Sequence, residues 1–221
     1  MKATSFLQRW KYELLLFALL QHLFIGIAVT DLPSYTSIIW PINMIILGVA
    51  SVGVFIEKGK WKNITRNILF VVVLALPIGL PFFGHLHFYI LLLNILYVVY
   101  FAFIFLEILQ FLIRPGYINA DIISASACGY FLLIEIAVFL LQFCQYQNPA
   151  SFKGIDMSST ASVYMDLVYF CSITVTSIGF GDITPNTYHT KLITSLFGIA
   201  GQFYSVVLVG ILISKFVSRD K

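Results

Sequence analysis

Residues Thr174 to Asp182 read T-V-T-S-I-G-F-G-D, and no other segment of the sequence differs so clearly from a generic hydrophobic helix. Gly179 and Gly181 flank a single aromatic residue, and glycine takes positive φ angles at little steric cost. When such residues alternate with ordinary L-residues, successive carbonyl oxygens can point to one side of an extended chain. A row of carbonyl oxygens can replace the water shell of a cation, so this segment is a candidate cation-binding site.

The rest of the sequence has the composition of a membrane protein. Of the 221 residues, 60% are hydrophobic and 10% are charged, and the mean hydropathy is +0.94. A soluble domain carries roughly a quarter of its residues as charges. The net charge is only +3, and the basic residues fall in short loops rather than in a nucleic-acid-binding patch. The three cysteines have no metal-ligand spacing, which favours buried, small apolar side chains.

Hydropathy predicts an all-α membrane protein with six transmembrane helices. We predict these helices at residues 12–30, 37–56, 68–83, 88–113, 122–143 and 191–217, with a shorter apolar helix at residues 162–175. Pro77 and Pro81 should kink or end the third helix. Asp121 is the expected N-cap of the fifth helix, and Asp166 is expected in the first turn of the short one.

The basic start of the first helix leaves a secretory signal peptide open as an alternative, with cleavage at residues 26–28. The length of its apolar run and its bulky residues favour a true span.

The glycine-aromatic-glycine segment resembles the T-V-G-Y-G-D selectivity filter of the tetrameric potassium channel superfamily, most closely its prokaryotic pore-loop members. The resemblance covers residues 121–221 well and the first hundred or so in topology only. It implies a pore domain at residues 117–221, with an outer helix at 122–143, a pore helix at 162–175, a filter at 176–182 and an inner helix at 191–217. Residues 1–116 would then form a four-helix N-terminal membrane region.

Carried over position by position, the resemblance assigns the residues that would hold the ion. Ser177 matches the hydroxyl residue of the innermost site, and the next three residues match those whose carbonyl oxygens form the outer rings. The implied filter residues are Thr176, Ser177, Ile178, Gly179, Phe180 and Gly181, with K⁺ held at Ser177, Ile178, Gly179 and Phe180 and with Asp182 at the outer mouth. Tyr169 and Phe170 take the places of an aromatic pair behind the filter. Permeant K⁺ is implied, and no cofactor.

Two positions depart from the family pattern, because Ser177 and Phe180 stand where threonine and tyrosine are usual. The tyrosine hydroxyl normally bonds to aromatic partners behind the filter. We therefore expect a filter that is held more loosely and inactivates more readily. Since Phe180 is neutral and apolar, K⁺ selectivity remains the favoured interpretation.

Three alternatives to a K⁺-selective channel stay open. One is a non-selective cation channel of the same architecture, and another is a non-conducting membrane subunit or scaffold. The third is an ordinary turn between helices, because glycine-containing dipeptides mark loops in many proteins. The order of hydrophobic span, polar loop, short helix, motif and span argues against a plain turn.

The inner helix offers candidates for gating. Gly201 lies twenty residues after Gly181, which is the spacing of the hinge glycine in this family. Close packing of small residues in lipid is the alternative explanation. Ser205, Val209 and Ile213 recur at i, i+4 and i+8, so they are candidate cavity residues, and Val217 joins Ile213 as a candidate hydrophobic gate.

The distribution of charge predicts the orientation of the chain. Of the 13 basic residues, all but Lys153 and Lys191 fall on one side of the six-span arrangement. The positive-inside rule therefore places both termini in the cytoplasm of a multi-pass protein, which we assign to the plasma (cell inner) membrane. Asp31, Asp156 and Asp182 would then lie at the outer mouth, where acidic groups concentrate cations.

The fourth predicted helix carries no lysine or arginine, and Glu107 is its only charged residue, which argues against a steep voltage sensor. A packing collar is favoured for the first four helices over a sensor of lipid, tension or a partner. Mid-span Gln21 and His22 are expected to bond between helices rather than to form a proton relay. Glu135 is a functional candidate, but we favour a protonated or hydrogen-bonded glutamate that joins the fifth helix to the pore helix, with Ser172 or Thr174 as candidate partners.

Each chain supplies one filter strand, so the expected assembly is a homotetramer with three identical partners in lipid. No nucleic-acid partner and no soluble ligand-binding domain are expected in this chain. No acid-base pair, nucleophile elbow, phosphate loop or zinc spacing appears, so the chain is not expected to be an enzyme. His85 and His87 form an H-x-H without a third ligand and are taken as a loop feature.

Overall fold

A computed structural model describes residues 7–29, 34–55, 59–84, 86–113 and 120–217. The long α-helices in these ranges are α1 Lys11–Phe24, α2 Trp40–Phe55, α3 Lys60–Phe83, α4 His87–Ile113, α5 Ala120–Gln147, α6 Thr160–Val175 and α7 Tyr188–Val217. Six helical segments are long and apolar enough to cross a membrane, whereas α6 is shorter. The prediction of six spans and one shorter helix is therefore confirmed.

Helix α5 lies at the centre of the packing, because it contacts α1, α4, α6 and α7. Its inward face carries Leu132, Ala137, Val138 and Phe139, none of them exposed to solvent. The Phe139 ring lies 4.6 Å from that of Tyr97 on α4 and 5.8 Å from that of Tyr164 on α6. An aromatic cluster thus joins the N-terminal helices to the C-terminal ones.

The first two spans contain irregular turns. Helix α1 tightens into a 3₁₀ turn at Ile25–Ala28, and a π-helical turn at Tyr35–Ile39 precedes α2. Pro41 follows this π turn directly and has no N–H to donate to the carbonyl group four residues earlier. The hydrogen-bond register shifts there, and Trp40 donates its N–H to the Tyr35 oxygen, five residues back.

Helix α3 begins at Lys60 rather than at residue 68, so the predicted start was wrong. Lys60, Lys62 and Arg66 lie on the helix and not in a loop. Lys62 bonds to Glu107 of α4, and its nitrogen also lies 3.2 Å from Gln110 Oε1. Charge lowers the hydropathy of this first stretch, but it does not prevent a helix whose basic residues find partners on the next one.

Pro77 does not end α3, which continues through Pro81 to Phe83. A proline inside a helix leaves the carbonyl group four residues earlier without its usual donor, and that group is Val73 O. The hydroxyl group of Tyr97 on α4 donates to Val73 O at 3.3 Å. In lipid, such freed carbonyl groups must be satisfied by neighbouring helices, and Tyr97 does this for α3.

Two acidic residues lie in other helical positions than predicted. Asp121 lies inside the first turn of α5, which begins at Ala120, so it is not the N-cap. Asp166 lies in the second turn of α6, which begins at Thr160, and its Oδ2 accepts the N–H of Asp156 at 2.7 Å. The N-cap of α6 is Ser159, whose hydroxyl oxygen accepts from Ser162 N at 3.0 Å.

The mid-span polar residues bond between helices, as predicted for Gln21 and His22. Gln21 donates to Asn43 of α2 at 3.1 Å, and His22 Nδ1 lies 2.6 Å from Glu135 Oε1. The expectation that Glu135 bonds to Ser172 or Thr174 was wrong, because His22 occupies its Oε1. The buried Ser172 hydroxyl has no hydrogen-bond partner among the described residues.

Replacing Tyr97 by phenylalanine should lower the free energy of unfolding by about 1 kcal/mol, because Val73 O loses its donor in an apolar environment. In a Pro77→Ala background the new N–H of residue 77 can bond to Val73 O, so Tyr97→Phe should then cost little. Unfolding of the purified protein by SDS titration in mixed micelles measures both. An equal loss in the two backgrounds would contradict this account of the proline.

Candidate functional site

Residues 176–182 leave the C-terminal end of α6 as an irregular segment that the helix holds by its last carbonyl groups. Thr176 N donates to Ser172 O at 3.1 Å, and Ile178 N and Gly179 N both donate to Ile173 O, at 2.8 and 3.1 Å. The last carbonyl groups of a helix have no partner within the helix, so they are available for these bonds. The N–H groups of the segment are thereby directed back towards α6.

The backbone of this segment alternates in handedness. Ser177, Gly179 and Gly181 have φ angles of +61°, +56° and +84°, whereas Ile178 and Phe180 between them have negative φ. A Cβ atom at either glycine would meet nothing within 4 Å, so glycine is required there by the φ angle and not by lack of space. Such an alternation allows successive carbonyl groups to face one side of the segment.

These carbonyl groups remain available to a ligand. Among the residues that the structure describes, no hydrogen bond is donated to the carbonyl oxygens of residues 177–181. The side chains of Ile178 and Phe180 are 58% and 71% exposed in the single chain. A segment whose N–H groups at residues 176–179 are bonded and whose carbonyl oxygens at residues 177–181 accept no hydrogen bond among the described residues can bind a cation.

The outer end of the segment is bound to the middle of α6. The ring of Tyr169 stacks on that of Phe180, with centroids 6.5 Å apart and planes within 7°. The hydroxyl group of Tyr169 donates to Asp182 Oδ2 at 2.7 Å. This hydrogen bond lowers the pKa of Asp182 below its ordinary value of 3.8, so the carboxylate keeps its negative charge in mildly acidic solution.

A two-stranded antiparallel sheet that the sequence did not predict joins the loop before α6 to the loop after residues 176–182. Strand β1, Phe152–Lys153, pairs antiparallel with β2, Thr184–Pro185, and Asn186 N donates to Ser151 O at 2.8 Å. The Phe152 ring packs edge-on against Phe170 of α6 at 5.2 Å. Strands of two residues are too short to show an alternating pattern, so no sequence signal could have found this pair.

Helix α7 packs against the end of α6 at Gly201. A Cβ atom there would lie 2.6 Å from both Val175 Cγ1 and Val175 O, so the close approach requires glycine. One residue further, Gln202 Oε1 accepts from the Ser177 hydroxyl at 3.4 Å. The sequence analysis missed Gln202, although an amide side chain in an apolar helix is itself a signal of function.

The cavity and gate residues of α7 are described only in part. Ser205 donates its hydroxyl hydrogen to Gly201 O at 3.0 Å. Val209, Ile213 and Val217 lie on α7, but their side chains lie outside the described residues.

Two tyrosines on neighbouring helices support this arrangement and were also missed. Tyr130 of α5 donates to Val175 O at 3.2 Å, and Tyr204 of α7 donates to Ser126 O of α5 at 2.9 Å. Both hydroxyl groups bond to backbone carbonyl oxygens across helices, and together they connect α5 with the end of α6 and with α7. The sequence shows the tyrosines in apolar helices but not the carbonyl groups that they reach.

The acidic residues of the outer loops hold the loop rather than a metal. The N–H of Ser158 donates to Asp156 Oδ1 at 2.9 Å and lowers the pKa of Asp156, while Asp156 N bonds to Asp166. In the part of the chain that the structure describes, no group of three or more His, Cys, Asp or Glu side chains could hold a metal ion. Asp31 and His85 lie outside that part.

Comparisons with known proteins identify the C-terminal part of the chain. Residues 127–218 match the model of a family described as "Ion channel". Over 95 residues, 42% of this chain, the chain is 30% identical to human "Potassium voltage-gated channel subfamily KQT member 3". It is 31% identical over 92 residues, also 42% of the chain, to "Two pore potassium channel a" of Oryza sativa subsp. japonica. It is 45% identical over 47 residues, 21% of the chain, to "Two-pore potassium channel 3" of Arabidopsis thaliana.

The chain spans 11%, 24% and 11% of the length of these three relatives, respectively. No solved structure matches it.

Among the described residues, six helical segments are long and apolar enough to cross a membrane, and residues 127–218 are similar to a family of ion channels. The predicted resemblance to the pore-loop potassium channel superfamily is confirmed over residues 127–218. Its relatives are ion channels rather than enzymes, which is consistent with the expectation that the chain is not an enzyme.

Replacing Tyr169 by phenylalanine should raise the pH at which Asp182 is protonated and cation flux falls. The depressed pKa of Asp182 means that its charge is present above pH 3.8 and is lost only as the pH falls through the lower value of the folded protein. The phenylalanine ring keeps the stack on Phe180 but not the hydrogen bond to Asp182. The pH at which Asp182 loses its charge should therefore shift up towards 3.8. Cation flux into liposomes, measured against pH, checks this. Tyr188→Phe, which changes an exposed tyrosine of α7, is the control and should not shift the profile.

Replacing Gly201 by alanine should destabilise the fold by about 1–3 kcal/mol, because the new methyl group overlaps Val175. Gly198→Ala is the matched control on the same helix, since its Cβ would meet Thr174 atoms no closer than 3.9 Å. It should be neutral or stabilise by up to about 1 kcal/mol through helix propensity. SDS titration measures both. If Gly201 acts purely as a hinge, Gly201→Ala would leave stability unchanged and shorten channel openings.

Proposed function

We propose that four copies of this chain form a K⁺-selective channel that conducts potassium passively across the membrane. Residues 176–181 of each copy supply the filter, with K⁺ bound by carbonyl oxygens at residues 177–180 and by the Ser177 hydroxyl group. Asp182 contributes negative charge at the outer mouth. The names of the three relatives, all potassium channels, support potassium as the permeant ion.

The observation that carries this proposal is the alternation of φ angles at Ser177, Gly179 and Gly181. The N–H groups of residues 176–179 bond to α6, and the alternation allows the carbonyl oxygens of the segment to line one side, which supports the proposal. Rings of such oxygens replace the water around a K⁺ ion, so the ion can leave water at little cost in free energy. The short helix α6 directs its C-terminal end, with its partial negative charge, to the same place.

The tetramer is proposed because one chain leaves the filter incomplete. Free carbonyl oxygens at membrane depth cannot face lipid, since no donor there satisfies them, and must line a water-filled or ion-filled space. Helix α7 presents an exposed apolar stripe at i, i+4, i+7, i+11 and i+14, formed by Leu192, Leu196, Ile199, Phe203 and Val206. Four copies related by a fourfold axis would close the space with the filter at its centre.

Orientation and gating follow from charge. The bias of basic residues supports an orientation with both termini in the cytoplasm and the filter mouth outside, and we assign the chain to the plasma (cell inner) membrane. Helix α4 has no lysine or arginine to move through the field, and its Glu107 is paired with Lys62 of α3. The channel is therefore proposed not to be steeply voltage-gated, with residues 1–116 acting as a collar around a pore domain at 117–221.

Purified protein in liposomes under a K⁺ gradient tests the function. We expect K⁺ flux that Ba²⁺ blocks and that greatly exceeds Na⁺ flux. Gly179→Ala should abolish it, because alanine resists the φ angle of +56°. Gly59→Ala is the matched control, since Gly59 has a φ of +92° and lies outside the proposed filter. Equal Na⁺ and K⁺ flux would indicate a non-selective channel, and no flux in any condition would indicate a non-conducting membrane subunit.

A further inference from the structure

Three polar side chains from three helices meet in the interior near the start of α6. They are His22 of α1, Glu135 of α5 and Tyr164 of α6, which are 1%, 0% and 1% exposed. His22 Nδ1 lies 2.6 Å from Glu135 Oε1 and 3.1 Å from the Tyr164 hydroxyl oxygen, and that hydroxyl group lies 3.4 Å from His22 O. Polar groups are seldom buried inside membrane proteins unless they bond to one another, and these three do.

The distances define how the three groups share hydrogens. A separation of 2.6 Å between a ring nitrogen and a carboxylate oxygen requires one proton between them. The tyrosine hydroxyl can donate to His22 O while its oxygen faces Nδ1. A histidine and a glutamate that together carry no net charge avoid the cost of isolating a charge in an apolar interior. These bonds connect the three helices, and the second carboxylate oxygen of Glu135, Oε2, is buried without a hydrogen-bond partner among the described residues.

Aromatic rings surround the cluster and keep it dry. The ring of Tyr164 lies 5.5 Å from Trp40, 5.6 Å from His22, 5.8 Å from Phe139 and 6.4 Å from Tyr35. A hydrogen bond in such a setting is stronger than in water, and a partner left alone is costly. The geometry therefore resists sliding or rotation of α6 against α1 and α5.

Helix α6 carries this constraint to the filter. Tyr164 lies in its second turn, and its last carbonyl groups receive the N–H groups of Thr176, Ile178 and Gly179. A helix of 16 residues is short and stiff, so fixing one end sets the position of the other. Tyr130 of α5 bonds to Val175 O at the C-terminal end of α6, so Tyr130 and the cluster hold the two ends of this helix.

We propose that His22 and Glu135 are positioning residues that fix α6 through Tyr164 and so set the place of the filter segment. This inference rests on the proposed function of residues 176–181 as the filter. It gives the N-terminal region a definite role: α1 is a support of the conducting segment and not only a filler of space around it. The attachment lies within one chain, so each copy would bring its own support.

Hydrogen-deuterium exchange of the whole chain in detergent tests the positioning directly. The amides of residues 176–179 are protected by their bonds to α6, so their exchange reports how firmly the segment is held. Tyr164→Phe should speed their exchange about fivefold, the effect of losing one buried hydrogen bond. Tyr100→Phe is the matched control, because Tyr100 is equally buried and its hydroxyl lies 3.2 Å from Ser51 Oγ, within the N-terminal helices. It should leave these amides unchanged.

Substitutions at residue 135 separate hydrogen bonding from bulk. Glu135→Gln keeps an oxygen that accepts from His22 Nδ1, and exchange at 176–179 should stay within about twofold of the wild type. Glu135→Leu keeps a similar volume without the acceptor and should match or exceed the effect of Tyr164→Phe. If Glu135→Leu does not assemble, Tyr164→Phe and Glu135→Gln still show whether the hydrogen bonds of the cluster or only its bulk hold residues 176–179.

Equal exchange at 176–179 in Tyr164→Phe and Tyr100→Phe would overturn the inference, whether or not the protein conducts. Faster exchange in Tyr164→Phe alone would support it. Flux from wild-type liposomes is a separate measurement: its absence would count against the proposed channel and would leave the exchange result standing. In conducting protein, Tyr164→Phe should also shorten openings about fivefold, and raised K⁺ should restore them because bound ions stabilise the occupied filter.

Discussion

The last carbonyl groups of α6 bind the N–H groups of the segment that follows, and the rest of the structure depends on this. Inside a membrane every backbone polar group needs a partner from protein, water or an ion. Ile173 O takes two N–H groups, from Ile178 and Gly179, and the N–H groups of residues 176 and 177 also bond to α6, so the donors of residues 176–179 are satisfied within the chain. The carbonyl oxygens of residues 177–181 accept no hydrogen bond among the described residues, and in the proposed channel a cation would be their partner.

The same requirement explains the polar side chains elsewhere in the spans. Tyr97 supplies the donor that Pro77 removes from α3, Tyr130 reaches the carbonyl group of Val175, and Tyr204 reaches that of Ser126. Each tyrosine places a large apolar ring among the helices and a single hydroxyl group at a specific backbone oxygen. In lipid, where burial of apolar surface does not favour one helix contact over another, such bonds help to determine which helices pack together.

The sequence predicted the parts of the structure that depend on local pattern. Hydropathy predicted the six long apolar helices and the short one. The spacing of Gly179 and Gly181 predicted the segment with alternating φ angles, because glycine takes a positive φ angle at little steric cost. The start of α3 was missed because charged residues lower the hydropathy of residues 60–67. Lys62 is nevertheless part of the helix, because it pairs with Glu107, which is distant in sequence. His22 and Glu135 are 113 residues apart, so their pairing depends on tertiary packing that no local pattern encodes.

The filter-like segment also shows how a missing group can be replaced from another position. Phe180 has no hydroxyl group, and the sequence therefore predicts a looser segment. The hydroxyl group of Tyr169 lies behind it and bonds to Asp182, so the outer end is fixed from the α6 side and only the Phe180 ring relies on stacking. The ring and the carbonyl group of Phe180 should therefore be more mobile than the carboxylate of Asp182. The carboxylate of Asp182 and the backbone of residues 176–179 are thus held by different interactions, which separate substitutions can weaken one at a time.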